Sequence, residues 1–479
     1  MNSVPQHRDW ILGTTNFGAL TLAVLFPLLL MSARPAHAQT ETVLHNFTGP
    51  DGAYPKSNLT SDGKGNFYGT TFEGGASNSG AVFELSPNGS GGWNETVLYS
   101  FTGGPGFANP SSYVIFDRAG NLYGTTQSGT ANIYGVVFEL SPVGESWTET
   151  VLYNFTNWDG GGATPYSGLI FDPAGNLYGT TVNGGSGGGG TVFELSPSGG
   201  GWTEQVIYNT DQIYAGLTMD TTGNIFGASN STVFELSPNG TGGWNPTVLH
   251  TFTGGSEDGG VTLSTPVLDK AGNLYGTTYD GGAKNDGTVY KLSPGKTGTW
   301  TEQILYSFKG GKKDGSLPPK GIVFDAAGNI YGTTTSGGTF GDGTVYELVV
   351  PVGTGGYTEK VLWSFNGTDG ATPGSSLLLD AAGNFYGTTG GGGSSYMGVV
   401  FEVNPSGKTT TTTLTSSPNP STYGQAVTYT TVVTPMPPDG ETISFMKGKT
   451  VLGTGTLSGG SASFITSALP VGKNAVTAV

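Results

Sequence analysis

The stretch GNLYGTT at residues 120–126 decides the fold, because close copies of it recur along most of the chain. Its aromatic residue returns at seven positions, with spacings of 55, 55, 48, 49, 56 and 55 residues. A repeat of about 50 residues is typical of a β-propeller blade rather than of a single solenoid turn. The seven positions are Tyr68, Tyr123, Tyr178, Phe226, Tyr275, Tyr331 and Tyr386.

Each repeat contains four short segments that are typical of β-strands. In the third repeat these segments are residues 168–172, 176–181, 191–195 and 202–208, separated by turns rich in Gly, Pro and Ser. Short runs of apolar and β-branched residues between such turns indicate strands of an antiparallel sheet. We name the four strands A, B, C and D, from the centre of the predicted propeller outward.

The strand count at the two ends predicts how the ring closes. The chain contains seven A-type and seven C-type segments, but only six D-type segments follow a C segment. The seventh D segment is residues 41–47, near the N-terminus. We therefore predict an all-β fold, a seven-bladed β-propeller over residues 39–407 that is closed by its N-terminal strand, which removes exposed sheet edges.

The repeat pattern resembles a known family. The run GNLYGTT followed by GTVFELSP, as at residues 175–181 and 190–197, is similar to the GloVer tandem repeat of exported bacterial "choice-of-anchor" proteins. The resemblance covers residues 40–407 and implies secretion and surface display, without an established activity.

The composition changes after residue 407. A threonine tract at residues 409–413 precedes the run NPSTYGQAVT at residues 419–428, which resembles bacterial Ig-like repeats. Alternating apolar residues predict about six strands, and the chain ends inside one of them. We therefore predict an incomplete Ig-like β-sandwich over residues 408–479.

Residues 1–38 are predicted to be a signal peptide. Arg8 precedes a short apolar run at residues 19–31, and the run AHA at residues 36–38 is typical of a cleavage site. The apolar run is shorter than the roughly 20 residues of a spanning helix, so we predict a protein that does not span a membrane. The expected location is outside the cell or on its surface.

The charge balance restricts the partners. The formal net charge is −16, and the chain has no cysteine. An acidic surface repels nucleic-acid phosphates and anionic lipids, so we predict no nucleic-acid partner. Neutral glycans, cations and proteins remain as partners, and we expect a monomer.

Two recurring residues have structural explanations. The glycine of each YGTT-like segment is predicted to allow close backbone approach between neighbouring blades. The aspartate that ends each A strand is predicted to cap the turn between strands A and B through its side chain.

No sequence motif assigns a catalytic residue or a cofactor. The histidines after the signal peptide, His45 and His250, occupy a D-strand position that is aromatic in other repeats, which favours a packing role. The chain has no zinc-binding, phosphate-binding or nucleophile motif.

The loops that join D to A and B to C should emerge on one face. Asp-Gly recurs in these D–A loops beside aromatic residues, and turn chemistry alone explains that dipeptide. The alternative is a ligand site for a glycan, and oxygen-rich loops also suit Ca²⁺. Its candidate residues are Trp158, Asp159, Asp51, Asp258, Asp314 and Asp369.

Three functional classes follow. The first is a non-catalytic binding or display protein that recognises a glycan or a protein on the loop-rich face. The second is a carbohydrate-active hydrolase or lyase with paired carboxylates in the propeller funnel. The third is a purely structural surface spacer.

Overall fold

The structure is a computed structural model that describes residues 39–103, 108–129, 132–156, 160–296, 298–351, 355–405, 411–434, 442–458 and 461–478. The predicted signal peptide and the candidate residues Trp158 and Asp159 lie outside the described residues. Within these ranges every regular element is a β-strand, as predicted. The described residues accordingly include no helix that could cross a membrane.

Seven antiparallel sheets, here numbered I to VII, share one arrangement in which strands A, B, C and D are neighbours in that order. Sheet I contains Thr60–Ser61, Phe67–Thr71, Ala81–Pro87 and Trp93–Ser100. Sheet II contains Ile115–Phe116, Leu122–Thr126, Val136–Val143 and Ser146–Asn154. Sheet III contains Ile170–Phe171, Leu177–Gly184, Thr191–Ser198 and Gly201–Asn209, and Gly162–Pro165 also pairs with its B strand.

The other four sheets repeat this order. Sheet IV contains Thr218–Met219, Ile225–Ser229, Thr232–Pro238 and Trp244–Thr251. Sheet V contains Val267–Leu268, Leu274–Thr278, Thr288–Pro294 and Trp300–Ser307. Sheet VI contains Val323–Phe324, Ile330–Thr334, Thr344–Val349 and Thr358–Ser364, beside a small pair formed by Gly315–Ser316 and Ser336–Gly337. Sheet VII contains Leu378–Leu379, Phe385–Gly391, Val399–Asn404 and Thr40–Asn46, with Ala371–Pro373 on its B strand.

The C-terminal segment forms two further antiparallel sheets of three strands each. One contains Thr411–Ser417, Val427–Thr434 and Ser461–Thr466. The other contains Thr450–Thr456, Thr442–Lys447 and Thr477–Ala478. A small core that includes Val427, Tyr429 and Phe445 supports them.

The N-terminal strand completes sheet VII. Thr40–Asn46 pairs antiparallel with Val399–Asn404, with Glu41 opposite Val403 and a register shift between Val43 and His45. The amide of Phe47 then donates to the carbonyl of Gly398 at 3.1 Å. The pairing predicted from the strand count is thus confirmed.

Hydrogen bonds connect the sheets in cyclic order. In most sheets a threonine hydroxyl of strand B donates to a backbone carbonyl just before the A strand of the next sheet. The final bond, from Thr388 to Ser57 at 3.0 Å, joins sheet VII back to sheet I. The others are Thr70–Ser112, Thr125–Ser167, Thr180–Ala215, Thr277–Lys320 and Thr333–Ser375, while the amide of Gly216 donates to Thr265 between sheets IV and V.

The apolar cores lie between neighbouring sheets. One core combines Tyr68 and Val82 of sheet I with Val114 and Phe138 of sheet II. Another combines residues of sheet I with Tyr386 and Val400 of sheet VII, together with Phe47. Burial of this apolar area is the main favourable term in folding, so each sheet depends on both of its neighbours.

The recurring glycine has a different role from the predicted one. A Cβ atom on Gly124 would lie 2.6 Å from the Phe138 ring, which belongs to the paired C strand of the same sheet. The other six glycines face a Phe or Tyr ring of their own sheet in the same way. The expectation of close approach between blades is wrong, because the glycine makes room for an aromatic side chain within one blade-like sheet.

The recurring aspartate caps the turn between strands A and B, as predicted. The Asp117 carboxylate accepts from the amides of Ala119 and Asn121 at 2.8 and 2.9 Å, and from the Asn121 side chain at 2.8 Å. Partial burial acts to raise the pKa of Asp117, but these hydrogen bonds outweigh it and hold the pKa below its ordinary value.

Candidate ligand-binding pocket

The D–A and B–C loops share one end of the sheets, because strands alternate in direction. Asp51, Asp258, Asp314 and Asp369 all lie in D–A loops. Asp51 accepts from the amide and hydroxyl of Thr48 at 2.8 and 2.9 Å, and lies 3.0 Å from the His45 ring nitrogen Nε2. Its carboxylate therefore closes its own loop against the adjoining D strand.

The other three aspartates adopt related arrangements. Asp314 is 6% exposed and accepts from the Tyr306 hydroxyl at 2.7 Å. Asp369 is 8% exposed and accepts from the Trp363 indole nitrogen at 3.1 Å. Asp258 accepts from the amide and hydroxyl of Thr253. The four carboxylates lie beside the outer D strands of different sheets, so the structure does not bring them together.

A pocket of about 380 Å³ lies where the seven D–A loops converge. Every D–A loop contributes to its wall, and Thr335, just after strand B of sheet VI, and Gly390, near the end of strand B of sheet VII, complete it. The described residues that line it are Tyr54, Lys56, Ser111, Tyr166, Tyr214, Leu263, Pro319, Lys320, Thr335, Thr372, Gly374 and Gly390. This convergence places the pocket on the predicted loop-rich face, with different lining residues.

Backbone geometry fixes the loops around the pocket. Tyr54 and Thr372 adopt left-handed conformations with φ of 57° and 50°, each directly before a proline. The Tyr54 amide donates to the backbone carbonyl of Met397 at 2.8 Å, and the Thr372 amide donates to the backbone carbonyl of Asp342 at 2.8 Å. The same left-handed conformation before a proline recurs at Asn109, Thr164 and Leu317, so it is a feature of the repeat that fixes the D–A loops.

Two tyrosines form one wall of the pocket. The rings of Tyr166 and Tyr214 meet edge to face, with centroids 5.2 Å apart. The Ser111 hydroxyl donates to the Tyr166 carbonyl at 3.0 Å, and the Gln127 side chain donates to Ser111 at 2.7 Å. These contacts hold a rigid aromatic surface that also offers hydroxyl groups.

Two lysines provide the charge of the pocket. The Lys320 ammonium lies 5.0 Å from the centre of the Tyr166 ring, and burial lowers its pKa to about 8. The Lys56 ammonium lies 4.7 Å from the centre of the Phe72 ring, and Lys56 is exposed. Both cations rest on aromatic faces. The described lining contains no aspartate or glutamate, so it favours a negatively charged ligand.

Sequence reasoning missed both lysines. Lys320 stands where five of the other six repeats carry a serine, so a comparison of the repeats by position reveals it as an exception. Those serines are Ser57, Ser112, Ser167, Ser264 and Ser375. Its contact with Tyr166, which belongs to another D–A loop, depends on the closed arrangement of sheets.

Comparisons with known proteins identify two sequence families. The family model described as the Gloeobacter/Verrucomicrobia repeat matches residues 12–231 and 215–434. The model described as a bacterial Ig-like domain (group 3) matches residues 414–479. No curated protein matches the chain.

Several solved structures are similar at low sequence identity. The extracellular domain of the hybrid two-component system BT4673 from B. thetaiotaomicron is 13% identical, with a TM-score of 0.45; the match covers 91% of this chain and 55% of that one. The polysaccharide lyase Uly1 is 11% identical, with a TM-score of 0.43 and coverage of 75% and 91%. The endosialidase of phage phi92 is 10% identical, with a TM-score of 0.37 and coverage of 77% and 69%.

Proposed function

This chain belongs to the Gloeobacter/Verrucomicrobia repeat family, and we propose that it is an extracellular, non-catalytic protein that binds an acidic oligosaccharide. In this proposal the seven sheets of residues 39–407 form a closed seven-bladed β-propeller, and residues 408–479 belong to an Ig-like β-sandwich. The cyclic hydrogen bonds between sheets support the first part, and the match to a bacterial Ig-like family supports the second. The predicted signal peptide supports export.

The observation that supports the proposed function most directly is the positive charge of the pocket lining. The chain has a formal net charge of −16, yet two lysines and no carboxylates line the described pocket. A cationic pocket in an acidic protein concentrates anionic ligands and discourages cationic ones. Lys56 and Lys320 would pair with the carboxylates of sugar acids.

The aromatic wall favours sugars among the anions. Tyr54, Tyr166 and Tyr214 combine apolar faces with hydroxyl groups, which suits the alternating apolar and polar surfaces of a sugar ring. The volume of about 380 Å³ lies within the range of small-ligand sites.

The test measures retention of the protein on acidic and neutral polysaccharides. We expect binding to uronate- or sialate-containing polymers, and a loss of at least about tenfold in affinity for Lys320→Gln and Lys56→Gln. Lys270→Gln is the matched control, because Lys270 is exposed in an A–B turn on the opposite face. Equal affinities for all three variants would contradict the pocket assignment.

The same assay tests the other predictions. If Trp158→Ala abolishes retention while the lysine variants retain it, the ligand binds at the loop of Trp158 and Asp159. Release of unsaturated or hydrolysed products would indicate an enzyme, although the described pocket lining contains no paired carboxylates. Absence of binding to every polymer would favour the structural spacer.

A further inference from the structure

A buried glutamate recurs between the outer strands of neighbouring sheets. Six of the seven D strands carry it, whereas sheet IV has Pro246 at this position. In each case the oxygen Oε1 is buried and has no hydrogen-bond partner. The six residues are Glu41, Glu95, Glu149, Glu204, Glu302 and Glu359.

At four of the six positions the preceding sheet carries a phenol or indole, which donates to the glutamate at two of them and to a D–A loop aspartate at the other two. The Tyr99 hydroxyl donates to Glu149 at 2.8 Å. The Tyr306 hydroxyl instead donates to Asp314, whose carboxylate interacts electrostatically with Glu359. The phenol or indole therefore donates one hydrogen bond to the buried glutamate or to the aspartate beside it. These rings keep that hydrogen at neutral pH.

Two of these positions carry histidine in place of the phenol or indole. His45 groups with Asp51 and Glu95 between sheets VII and I, and His250 groups with Asp258 and Glu302 between sheets IV and V. In each group one potential ligand atom per residue lies within 4.8 Å of the other two. We call these two groups the His–Asp–Glu clusters.

The second cluster contains three buried polar atoms that lack a hydrogen-bond partner. They are Nε2 of His250, Oδ1 of Asp258 and Oε1 of Glu302. The first two atoms lie 3.5 Å apart. In the first cluster His45 and Asp51 are in contact at 3.0 Å, and Oε1 of Glu95 lacks a partner. A buried polar atom without a hydrogen-bond partner destabilises the folded chain, so the convergence of these atoms requires an explanation.

A divalent cation would satisfy all three atoms together. Zn²⁺ binds imidazole nitrogen and carboxylate oxygen at about 2.0–2.2 Å, which places its tetrahedral ligands about 3.3 Å apart. The separation of 3.5 Å between His250 and Asp258 is close to that spacing. Imidazole favours Zn²⁺ and its transition-metal neighbours over Ca²⁺ and Mg²⁺, which prefer oxygen ligands.

We propose that each His–Asp–Glu cluster binds one Zn²⁺-class ion that links two neighbouring sheets. In the first cluster the ion would connect the N-terminal strand, through His45, to the D strand of sheet I, through Glu95. Its binding would therefore stabilise ring closure. In the second cluster the ion would connect sheets IV and V in the same manner.

The experiment counts metal ions bound to the full chain, purified with a histidine-free affinity tag and stripped with a chelator. Zn²⁺ is added, the protein is dialysed, and bound metal is measured by mass spectrometry and calorimetry. We expect two Zn²⁺ ions per chain, one in His45→Tyr, one in His250→Tyr and none in the double variant. Tyrosine is the matched replacement, because Tyr99, Tyr153, Tyr208 and Tyr306 occupy the same position in other repeats.

Thermal unfolding provides a second measurement on the same proteins. Zn²⁺ should raise the Tm of the parent and leave that of the double variant unchanged. Glu302→Gln removes one ligand while preserving side-chain size, and it should also reduce the count by one ion. Retention of two ions by the double variant, or no Zn²⁺ binding by the folded parent, would overturn the proposal.

Discussion

Replacing Phe47 with alanine tests whether the N-terminal strand contributes to the packing of sheet VII against sheet I. Phe47 directly follows that strand and has no exposed surface. Its ring lies 5.2 Å from the ring of Phe83 in sheet I, while its amide donates to Gly398 in sheet VII. The side chain thus fills space between the last sheet and the first.

The magnitude follows from the buried volume. A Phe→Ala replacement in a packed core costs about 3–5 kcal/mol, since it loses transfer free energy and leaves a cavity. At roughly 2.1 cal/mol/K per residue, cooperative unfolding of residues 39–405 has an entropy of about 0.8 kcal/mol/K. The expected decrease in Tm is therefore about 4–6 °C.

The assay is differential scanning calorimetry of three proteins: the parent, Phe47→Ala and Phe101→Ala. Phe101 is the matched control, because it has no exposed surface and lies 5.3 Å from Phe138 at the equivalent position between sheets I and II. We expect similar decreases for both variants. If Phe101→Ala lowers Tm by several degrees while Phe47→Ala changes it by less than about 1 °C, the N-terminal strand does not contribute to closure.

Two further predictions concern pH and glycine. Burial, assisted by the nearby charge of Asp314, raises the pKa of Glu359 to about 8, so this group stabilises the folded chain below its unfolded pKa near 4.5. That contribution is lost as pH rises through about 8. Glu359→Gln should therefore reduce the decline of the free energy of unfolding between pH 4.5 and about 8, measured by chemical denaturation. An unchanged decline would contradict the raised pKa of Glu359. Gly124→Ala should destabilise the chain, because its Cβ would lie 2.6 Å from the Phe138 ring. Gly187→Ala, which meets nothing within 4 Å, should leave Tm nearly unchanged, and equal effects of the two replacements would refute this reasoning.

The sequence alone predicted the repeating unit and the closing strand. Both inferences rest on local and periodic information, because apolar segments indicate strands and the turn residues between them indicate where each strand ends. The capping role of the aspartates, such as Asp117, was predictable for the same reason, because its partners lie two and four residues away.

The glycine shows where local reasoning failed. A glycine inside a strand indicates that something approaches the backbone closely, but the sequence does not identify what approaches. In the structure Gly124 of strand B pairs with Phe138 of strand C, so the group that approaches the glycine is an aromatic ring of the same sheet.

Only the tertiary structure decided which side chains meet in space. Lys320 and Tyr166 belong to different repeats, and their contact depends on the convergence of the D–A loops. The grouping of His250 and Asp258 with Glu302 likewise spans two sheets. A repeat specifies the position of each residue within its own sheet, whereas the packing between sheets specifies its neighbours from other repeats. The sequence therefore determined the sheets and their order, and the packing between them determined the pocket and the His–Asp–Glu clusters.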